Sequence, residues 1–277
     1  MQKKVLALHD LSGFGRSSLV PVIGVLSAMG HQCVPVPTAI FSTHTAIPGY
    51  TVRDLTDDLL PWIEQYEGLG LDFEAVYSGF LGTERQIGCI SQAILRLRAP
   101  GGIVMVDPVM GDNGEVYETY TPEMCARMGD LCRLADVITP NVTEAAILLG
   151  KDARDEPDGP AEAARWARGL ERAYGAKVVL TGLSGGGATV GVLCCEDGRT
   201  AFFEHARIRE YYPGTGDIFS SVLLGGLLWG DGLADAAARA AYFVRDCIDY
   251  TASQGTDNMH GVQFETQLMK LARGAEA

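Results

Sequence analysis

The sequence lacks several short motifs that identify common enzyme folds. No G-x-x-x-x-G-K-[ST] segment occurs, which excludes a P-loop nucleotide site. The one G-x-S-x-G match, at 182–186, is followed by a predicted hairpin and not by the helix that a nucleophile elbow needs, so a Ser/His/Asp hydrolase triad has no support. The stretch "HDLSGFGR" (9–16) has two glycines at G-x-G spacing but lacks the third glycine of the dinucleotide fingerprint, and Arg16 stands where a small residue is expected. A Rossmann dinucleotide site is therefore disfavoured.

Positive charge and long apolar runs are also scarce. The chain has 22 lysines and arginines against 35 aspartates and glutamates, a formal net charge of −13. A field of that sign repels phosphate backbones, so neither nucleic acid nor an acidic membrane surface is expected as a partner. Mg²⁺ and backbone amides can still hold nucleotide phosphates locally. No apolar run reaches roughly 18 residues, so no membrane-spanning helix is predicted. The N-terminus lacks the apolar core of a signal peptide and is interpreted as a first strand.

Paired cysteines are absent as well, because the count is odd and no C-x-x-C occurs. This pattern argues against a disulfide framework and against a zinc site. Most cysteines lie in apolar runs such as "VGVLCC", so we expect reduced, mostly buried thiols in a cytoplasmic protein. The seven are Cys33, Cys89, Cys125, Cys132, Cys194, Cys195 and Cys247.

Short apolar runs alternate with segments of helical periodicity along the chain. A strand is predicted in each of six stretches, in some of which it continues into a loop: 4–10, 32–42, 73–82, 101–114, 136–141 and 176–182. Helices are predicted at 18–30, 54–68, 84–98, 121–135, 142–150, 161–175 and through most of the chain after 206. The segment 187–206, with a central "EDG" turn, predicts an antiparallel hairpin. Prolines in 32–42 predict uneven pairing of that strand. The alternation predicts an α/β fold of three αβα layers, with a largely parallel central sheet and helices on both faces.

A single domain spanning 1–277 is predicted, since no repeat or shift in composition divides the chain. With 277 residues, 47% of them hydrophobic, it can bury a substantial core. The polar stretch 152–160 is the one candidate linker and is interpreted as a loop. Open α/β sheets bind ligands at the carboxyl ends of their strands, so polar clusters after the strands are the candidate site.

Two such clusters offer hydrogen-bonding side chains and oxygen ligands. The loop "FSTHTAIPG" (41–49) carries Ser42, Thr43, His44 and Thr45, although His44 is equally interpretable as a solvated loop histidine. The segments 107–114 and 139–146 carry oxygen donors of the kind that Mg²⁺ prefers. These are Asp107, Asp112, Asn141 and Glu144. The alternative is structural: Asp107-Pro108 ends a strand, and Thr143 with Glu144 starts a helix.

The remaining cluster is "YYPGTGDIFSS" (211–221). Gly214 and Gly216 let the backbone turn at the start of an apolar helix, and a glycine-preceded helix N-terminus is a ready anion site. Asp217 follows directly. It either serves the helix dipole alone or acts as a base beside the anion site.

Taken in order, these stretches resemble a known family. "PGTGDIFSS" resembles the G-T-G-D anion-hole motif of the ribokinase-like kinases. "DPVMGDNG" and "ITPNVTEAAILLG" resemble segments of the pyridoxal kinases within that superfamily, "AIFSTHT" resembles their substrate loop, and "SGFLG" (78–82) their next strand end. The matches run in order from residue 5 to about residue 225 and so cover most of the chain.

The resemblance implies an ATP-dependent kinase that phosphorylates the 5′-hydroxymethyl group of a B6 vitamer. It implies that Asp217 is the base and that the amides of Gly214, Thr215 and Gly216 form the anion hole. The residues that it assigns to Mg²⁺ and the phosphates are Asp107, Asp112, Asn141 and Glu144. Those that it assigns to the nucleotide are Asn141, Glu144, Thr181, Gly182 and Thr215. Those that it assigns to the vitamer are Asp10, Ser12, Ser42, His44, Thr45 and Phe80. A homodimer and a monovalent cation, K⁺, near the nucleotide are further implications.

Two departures from the family pattern bear on specificity. Asp10 stands where many pyridoxal kinases have serine, and a carboxylate there favours a vitamer carrying an amine. The loop 9–16 also lacks the usual aromatic-and-glycine pattern, which leaves the ring contacts of Phe14 and Arg16 open.

Three alternatives stay open at the level of sequence. A hydroxymethylpyrimidine or hydroxymethylpyrimidine-phosphate kinase belongs to the same superfamily, but those enzymes often carry cysteine where this chain has Asp217. A sugar kinase is disfavoured because no lid hairpin is recognisable early in the chain. A non-catalytic B6-binding protein on the same scaffold is disfavoured by the intact Gly-Thr-Gly-Asp.

Overall fold

The computed structural model describes residues 2–185, 187, 189–206 and 212–272. The strands are β1 (Lys4–Phe14), β2 (Gln32–Thr43), β3 (Val52–Asp54), β4 (Phe73–Ser78), β5 (Arg98–Val106), β6 (Gly111–Asp112), β7 (Glu115–Val116), β8 (Val137–Ile138), β9 (Lys177–Ser184), β10 (Thr189–Glu196) and β11 (Arg199–Ala206). The helices are α1 (Leu19–Ala28), α2 (Thr56–Gly68), α3 (Glu84–Leu97), α4 (Pro122–Cys132), α5 (Val142–Leu148), α6 (Gly159–Tyr174), α7 (Thr215–Trp229) and α8 (Leu233–Gln254). Two short 3₁₀ helices follow, Asn258–His260 and Glu265–Leu271.

One mixed sheet organises the fold, in the order β11-β10-β9-β8-β5-β4-β1-β2-β3. The pairs from β9 through to β2 are parallel, whereas β10, β11 and β3 join antiparallel at the two edges. The predicted largely parallel sheet and the predicted antiparallel hairpin are both confirmed. Ala188, within the predicted hairpin segment, lies outside the described residues.

Hydrophobic cores lie on both faces of this sheet, as three αβα layers require. In β1, Leu6 and Leu8 belong to the core that also contains residues of α2 to α6. Val5 and Ala7 point the other way, into the core shared with α1, α7 and α8. All four side chains are fully buried. Successive strand residues face opposite sides of a sheet, so a strand covered on both faces is apolar at every position.

The first strand is longer than the sequence pattern predicts. Residues 9–16 were expected to form a loop, but β1 continues to Phe14, because Ser12 and Phe14 pair with Phe41 and Thr43 of β2. The pairing shifts register between His9 and Leu11, opposite the last proline of β2. The uneven pairing predicted for that proline-containing strand is therefore confirmed.

Three short strands were not predicted. β6 and β7 are two residues each and pair within the polar segment after β5, too short to leave a periodic pattern. β3 is three exposed residues that pair antiparallel with β2. β2 and β3 therefore form an antiparallel pair early in the chain that the sequence pattern does not indicate.

The helices and the cysteines lie within the described residues. No helix in that part of the chain is long and apolar enough to span a membrane. All seven cysteines are free, five of them buried and two half-buried. Burial raises the pKa of several of these thiols, for example that of Cys33 to about 12.

Candidate active site

The carboxyl ends of the parallel strands bring the polar clusters to one edge of the sheet. Each strand end is tied to its neighbour by a backbone hydrogen bond just beyond the paired region. These bonds run from Gly79 N to Leu8 O (3.2 Å), Asp107 N to Ser78 O (2.9 Å), Thr139 N to Val106 O (3.2 Å) and Thr181 N to Pro140 O (3.0 Å). The clusters are far apart in sequence but adjacent in space, because parallel strands all end on the same side.

The Gly-Thr-Gly-Asp segment forms the N-terminus of α7. Gly214 is the N-cap, with φ 81°, and a Cβ at that position would lie 2.0 Å from the carbonyl oxygen of Arg16. Only glycine fits there, since both the conformation and the space exclude a side chain. The helix begins at Thr215. Its first N–H groups have no acceptor within the helix and carry the positive end of its dipole. Tyr211, the first residue of the motif, lies outside the described residues.

Asp217 lies in that first turn with 17% of its side chain exposed. Its Oδ2 accepts a hydrogen bond from the backbone N–H of Ser18, at 2.7 Å. Burial raises the pKa of Asp217 to about 7; the Ser18 bond opposes this shift, and the charges of Asp107 and Asp10 add to it. A carboxyl group with a pKa near the working pH is well suited to accept a proton during catalysis.

Ser18 links Asp217 to the second predicted carboxylate, Asp10. Its Oγ donates to Asp10 Oδ1 at 2.6 Å, while Ser12 Oγ donates to Asp10 Oδ2 at 3.0 Å. Asp10 is 4% exposed, and burial raises its pKa while the two hydroxyl bonds oppose the rise. Ser18 has φ 59°, an uncommon value for a residue other than glycine. Nothing in the sequence marks this serine, because its role depends on where α7 lies.

A buried acidic pair lies at the ends of β5 and β8. Asp107 accepts from Ser220 Oγ at 3.2 Å, and burial raises the pKa of Asp107 to about 7. Burial and the neighbouring Asp107 raise the pKa of Glu144 well above its usual value. Two buried carboxyl groups relieve their repulsion by binding a proton or a cation, and oxygen donors suit a hard cation. This donor set therefore fits Mg²⁺.

Glu144 also has a structural role at the start of α5. Asn141 is the N-cap: its Oδ1 accepts from Glu144 N at 2.9 Å, and Glu144 Oε2 accepts from Asn141 N at 2.8 Å. The other oxygen, Oε1, accepts from Met110 N at 3.1 Å. This is a capping box, so the helix-start interpretation of Glu144 is confirmed, with Asn141 as its partner.

The three predicted metal residues are not preassembled around one point. Asp112 accepts bonds from the backbone and side-chain nitrogens of Asn113. Over the described ranges, no group of three or more His, Cys, Asp or Glu side chains is arranged to hold a metal ion. Of the predicted set, the charge of Asp107 contributes more to the raised pKa of Glu144, and that of Asp112 contributes less.

The polar loop after β2 is held by contacts that the sequence does not reveal. Ser42 Oγ accepts from Thr51 N at 2.9 Å. His44 is buried, its Nε2 lies 2.7 Å from the carbonyl oxygen of Met259, and its ring packs on Gly15, where a Cβ would approach within 2.0 Å. The solvated-histidine alternative is therefore wrong. Thr45, the next residue, is exposed.

Aromatic side chains line the same end of the sheet. Phe80 is half-buried, with ring centroids 6.5 Å from Phe41 and 6.1 Å from Tyr120. Phe14 lies edge-on to His260 at 5.0 Å. A cavity of about 480 Å³ lies beside Phe14 and His260. Its lining residues are Phe14, Thr43, Ala46, Ile47, Pro48, Asp257, Met259 and His260.

Arg16 contacts the C-terminal segment. It pairs with Glu265 at 2.7 Å and donates to the carbonyl oxygen of His260 at 3.1 Å. Gly261 packs closely on the carbonyl of Gly15. Residues 9–16, which depart from the family pattern, are therefore held by contacts with residues near the end of the described chain.

The predicted nucleotide residues lie at the ends of β8 and β9. Thr181 forms an isolated parallel bridge with Asn141. Gly182 follows with φ 75° and is exposed, with open space where a side chain would be. Thr181 therefore lies next to the capping box that Asn141 and Glu144 form.

His9 lies beside Asp217 and, like Ser18, is not marked by the sequence pattern. His9 is fully buried, and its Nδ1 lies 3.8 Å from Asp217 Oδ1. It occurs inside the apolar run of the first strand, where nothing distinguishes it from a histidine packed in the core.

Comparison with known proteins decides the family. A family model described as phosphomethylpyrimidine kinase matches residues 23–262. The chain is also 32% identical over 270 residues to the pyridoxine/pyridoxal/pyridoxamine kinase of Bordetella bronchiseptica, an alignment that covers 91% of this chain and 90% of that protein. The chain belongs to the pyridoxal kinase family. The resemblance drawn from the sequence motifs is thereby confirmed.

Solved structures agree with this membership of the pyridoxal kinase family. The pyridoxal kinase of Lactobacillus plantarum superposes with a TM-score of 0.90 at 30% identity, over 98% of this chain and 97% of that one. A Bacteroides thetaiotaomicron protein named as a candidate phosphomethylpyrimidine kinase, crystallised with pyridoxal, superposes with a TM-score of 0.93 at 38% identity, over 98% and 96%. These matches confirm the ribokinase-like α/β fold.

Proposed function

We propose that this protein is an ATP-dependent kinase that phosphorylates the 5′-hydroxymethyl group of a B6 vitamer. The observation that carries the proposal is the placement of Asp217. Its carboxyl group lies in the first turn of α7, directly behind the glycine-capped N-terminus, and is held there by the Ser18 N–H. A base and an anion site side by side are what transfer of a phosphoryl group to an alcohol requires.

In this proposal Asp217 accepts the proton of the substrate hydroxyl while the hydroxyl oxygen attacks the γ-phosphorus of ATP. The bond from that phosphorus to the β,γ-bridging oxygen breaks, and ADP leaves. The amides of Gly214, Thr215 and Gly216 donate to the phosphoryl oxygens where charge accumulates. Donors fixed by a helix N-terminus need no reorganisation as the charge develops.

Asp107 and Glu144 are proposed to hold Mg²⁺ directly or through water, with Asp112 and Asn141 nearby. When bound, Mg²⁺ neutralises phosphate charge. Support comes from the raised pKa values of the buried Asp107–Glu144 pair, which mark a place where a cation is favourable. Thr181 and Gly182 are proposed to line the nucleotide, and K⁺ is the proposed monovalent cation.

The vitamer is proposed to lie among Asp10, Ser12, Ser42, His44, Thr45 and Phe80, with Phe80 offering an aromatic face. Asp10 is the residue on which we base a hypothesis about vitamer specificity. Its two oxygens already accept one hydroxyl bond each, and each oxygen keeps a further lone pair for a substrate amine. We expect pyridoxamine to be used at least as well as pyridoxal. The test compares kcat/KM for both vitamers in wild type and Asp10→Ser; an unchanged ratio would reject the hypothesis.

A second candidate is phosphorylation of hydroxymethylpyrimidine or its phosphate. It is favoured by the description of the matching family model and by the naming of the Bacteroides protein. The presence of Asp217, rather than the cysteine frequent in those kinases, weighs against it.

One assay separates these functions. A coupled assay measures ADP production with each of four substrates in parallel: pyridoxal, pyridoxamine, pyridoxine and hydroxymethylpyrimidine. Turnover of the B6 vitamers supports the proposal, whereas turnover of hydroxymethylpyrimidine alone favours the second candidate. Binding of a vitamer without turnover would identify a B6-binding protein on a kinase scaffold.

Homodimer assembly and a cytoplasmic location are proposed alongside the activity. The exposed apolar side chains of Ile40 and Val52 at the β2–β3 edge, 43% and 56% accessible, support self-association. Light scattering coupled to size-exclusion chromatography measures it, and a monomer at micromolar concentration would reject it.

A further inference from the structure

His9 is a buried polar side chain without an evident partner. The residue is fully buried, and neither Nδ1 nor Nε2 has a hydrogen-bond partner among the described residues. Buried side-chain nitrogens are nearly always hydrogen-bonded, so an exception calls for a functional explanation.

The ring is held in one orientation by its neighbours. Tyr77 packs edge-on against it, with centroids 4.3 Å apart and an interplanar angle of 76°. On the other side, a Cβ at residue 79 would lie 2.1 Å from Nδ1, so only the glycine present there leaves room for the imidazole. In this orientation Nδ1 faces Asp217 Oδ1 at 3.8 Å.

Burial keeps this imidazole neutral. It lowers the pKa of His9 to about 3, so the ring carries no charge at neutral pH. The ionisable groups around the pair are Asp10 on β1, Asp107 after β5 and Tyr77 on β4. A neutral imidazole with its proton on Nδ1 can donate a hydrogen bond to the carboxylate of Asp217. Because the ring is neutral, it places no positive charge beside Asp217 that would compete with the proposed anion site for the phosphoryl group.

We propose that His9 is a positioning residue for Asp217, donating from Nδ1 to Oδ1 while the Ser18 N–H holds Oδ2. The inference rests on the proposed function, in which Asp217 accepts the substrate proton. An N–H···O bond is about 2.9 Å long, so a shift of about 1 Å closes the contact. Catalytic hydrogen bonds often tighten when substrate binds. Each carboxylate oxygen keeps a lone pair for the hydroxyl.

The test uses variants that separate the donor from the shape of the ring. His9→Phe keeps an aromatic ring between Tyr77 and Gly79 but removes the donor. His9→Asn keeps an N–H donor at the position of Nδ1, and His9→Gln moves it to the position of Nε2. Each is made in wild type and in Asp217→Asn, and folding is checked by thermal melting.

We expect His9→Phe to lower kcat about 10- to 100-fold, with KM for ATP and vitamer changing less than about twofold. His9→Asn should recover most of kcat and His9→Gln should not. In the Asp217→Asn background, His9→Phe should cause no further loss, because the group that His9 positions is no longer a base.

Other outcomes overturn the inference. These are wild-type kcat in His9→Phe, equal losses in His9→Asn and His9→Gln, or the same fold loss with and without Asp217. If His9→Phe does not fold, the Asn and Gln pair decides alone. A wild-type protein active on a vitamer with an unaffected His9→Phe rejects the role of His9 but leaves the proposed function standing. A wild-type protein that phosphorylates no alcohol rejects both.

Discussion

At the scale of single residues, the proposed chemistry depends on Asp217, a carboxyl group whose pKa burial raises to about 7. Asp10 and Asp107 both lie within electrostatic reach of Asp217, and burial raises the pKa of all three acids. Ser18 moderates two of them, through its N–H and its hydroxyl. The position of Asp217 beside the helix N-terminus makes its two interpretations, helix start and base, compatible with each other.

Removing the carboxylate of Asp217 tests the base directly. Asp217→Asn keeps the size of the side chain but cannot accept a proton, so we expect kcat to fall about 10²- to 10⁴-fold with vitamer affinity retained. Stopped-time ADP assays and calorimetric titration of the vitamer measure the two quantities. Asp130→Asn, an exposed acid on α4, is the control and should leave both unchanged. Activity near wild type in Asp217→Asn would reject the assignment.

The pH dependence of activity follows from the same residue. With a pKa raised to about 7, Asp217 is increasingly protonated, and inactive as a base, as pH falls below 7. We expect kcat/KM to drop about tenfold per pH unit on that acid side. A kcat/KM profile that stays flat down to pH 5 would show that the pKa of Asp217 in the free enzyme is not raised or that Asp217 is not the base.

At the scale of elements, helix termini carry most of the site. The N-terminus of α7 is the proposed anion site, and the capping box of α5 contains Glu144, a proposed Mg²⁺ residue. Both termini face the ends of the parallel strands, where their unpaired N–H groups and acidic side chains can meet a phosphate and its cation.

The glycine that caps α7 should be irreplaceable. Gly214→Ala adds a methyl group 2.0 Å from the carbonyl oxygen of Arg16, at a positive φ. We expect a loss of more than about 1 kcal/mol in the free energy of unfolding, together with loss of activity. Gly216→Ala is the matched control for stability, since a Cβ there meets nothing within 4 Å. Equal destabilisation of the two, measured by denaturant titration, would contradict this geometry.

Glu144 should affect both stability and nucleotide binding, whereas Asp112 should affect only binding. Glu144→Ala leaves the buried N–H groups of Met110 and Asn141 without their acceptor, which costs about 1–3 kcal/mol. Asp112→Ala frees only neighbouring Asn113 groups near the surface, and we expect less than about 0.5 kcal/mol. Both should raise KM for Mg²⁺-ATP. Urea titration and steady-state kinetics measure the pair, and unchanged KM in both would reject the proposed metal residues.

At the scale of the whole molecule, the site concentrates negative charge at one edge of an already acidic protein, and this should reduce stability. An acid whose pKa is raised by folding lowers stability at pH values above its folded pKa, and the cost vanishes below its unfolded pKa. Asp217 fits that case, with an ordinary pKa of 3.8 and a folded pKa of about 7.

Asp217→Asn should therefore raise Tm at pH 8 and leave it nearly unchanged at pH 4. Differential scanning calorimetry at the two pH values measures the effect. A Tm gain of equal size at both would mean that packing, and not ionisation, is responsible.

The molecule as a whole also shows where sequence reasoning reached its limit. The apolar runs of 4–10 and 101–106 and the periodicity of 84–98 led to the correct layers, because burial on two faces leaves a direct pattern of side chains. β3, β6 and β7 left no such pattern, since they are a few exposed residues that pair only once neighbouring elements are in place. His44 could not be placed for the same reason, because its partner Met259 is more than two hundred residues away.

By itself, the sequence determined the fold class, the order of the longer elements and the residues at the strand ends, because hydrophobic periodicity and turn residues are local properties of the chain. Only the tertiary structure decided which of those residues influence one another. Ser18 joins Asp10 to Asp217. Glu144 caps α5 beside Asp107. His9 faces the carboxylate of Asp217 from within the core. These relations depend on distances across the sheet, and so do the pKa values that arise from burial and neighbouring charge.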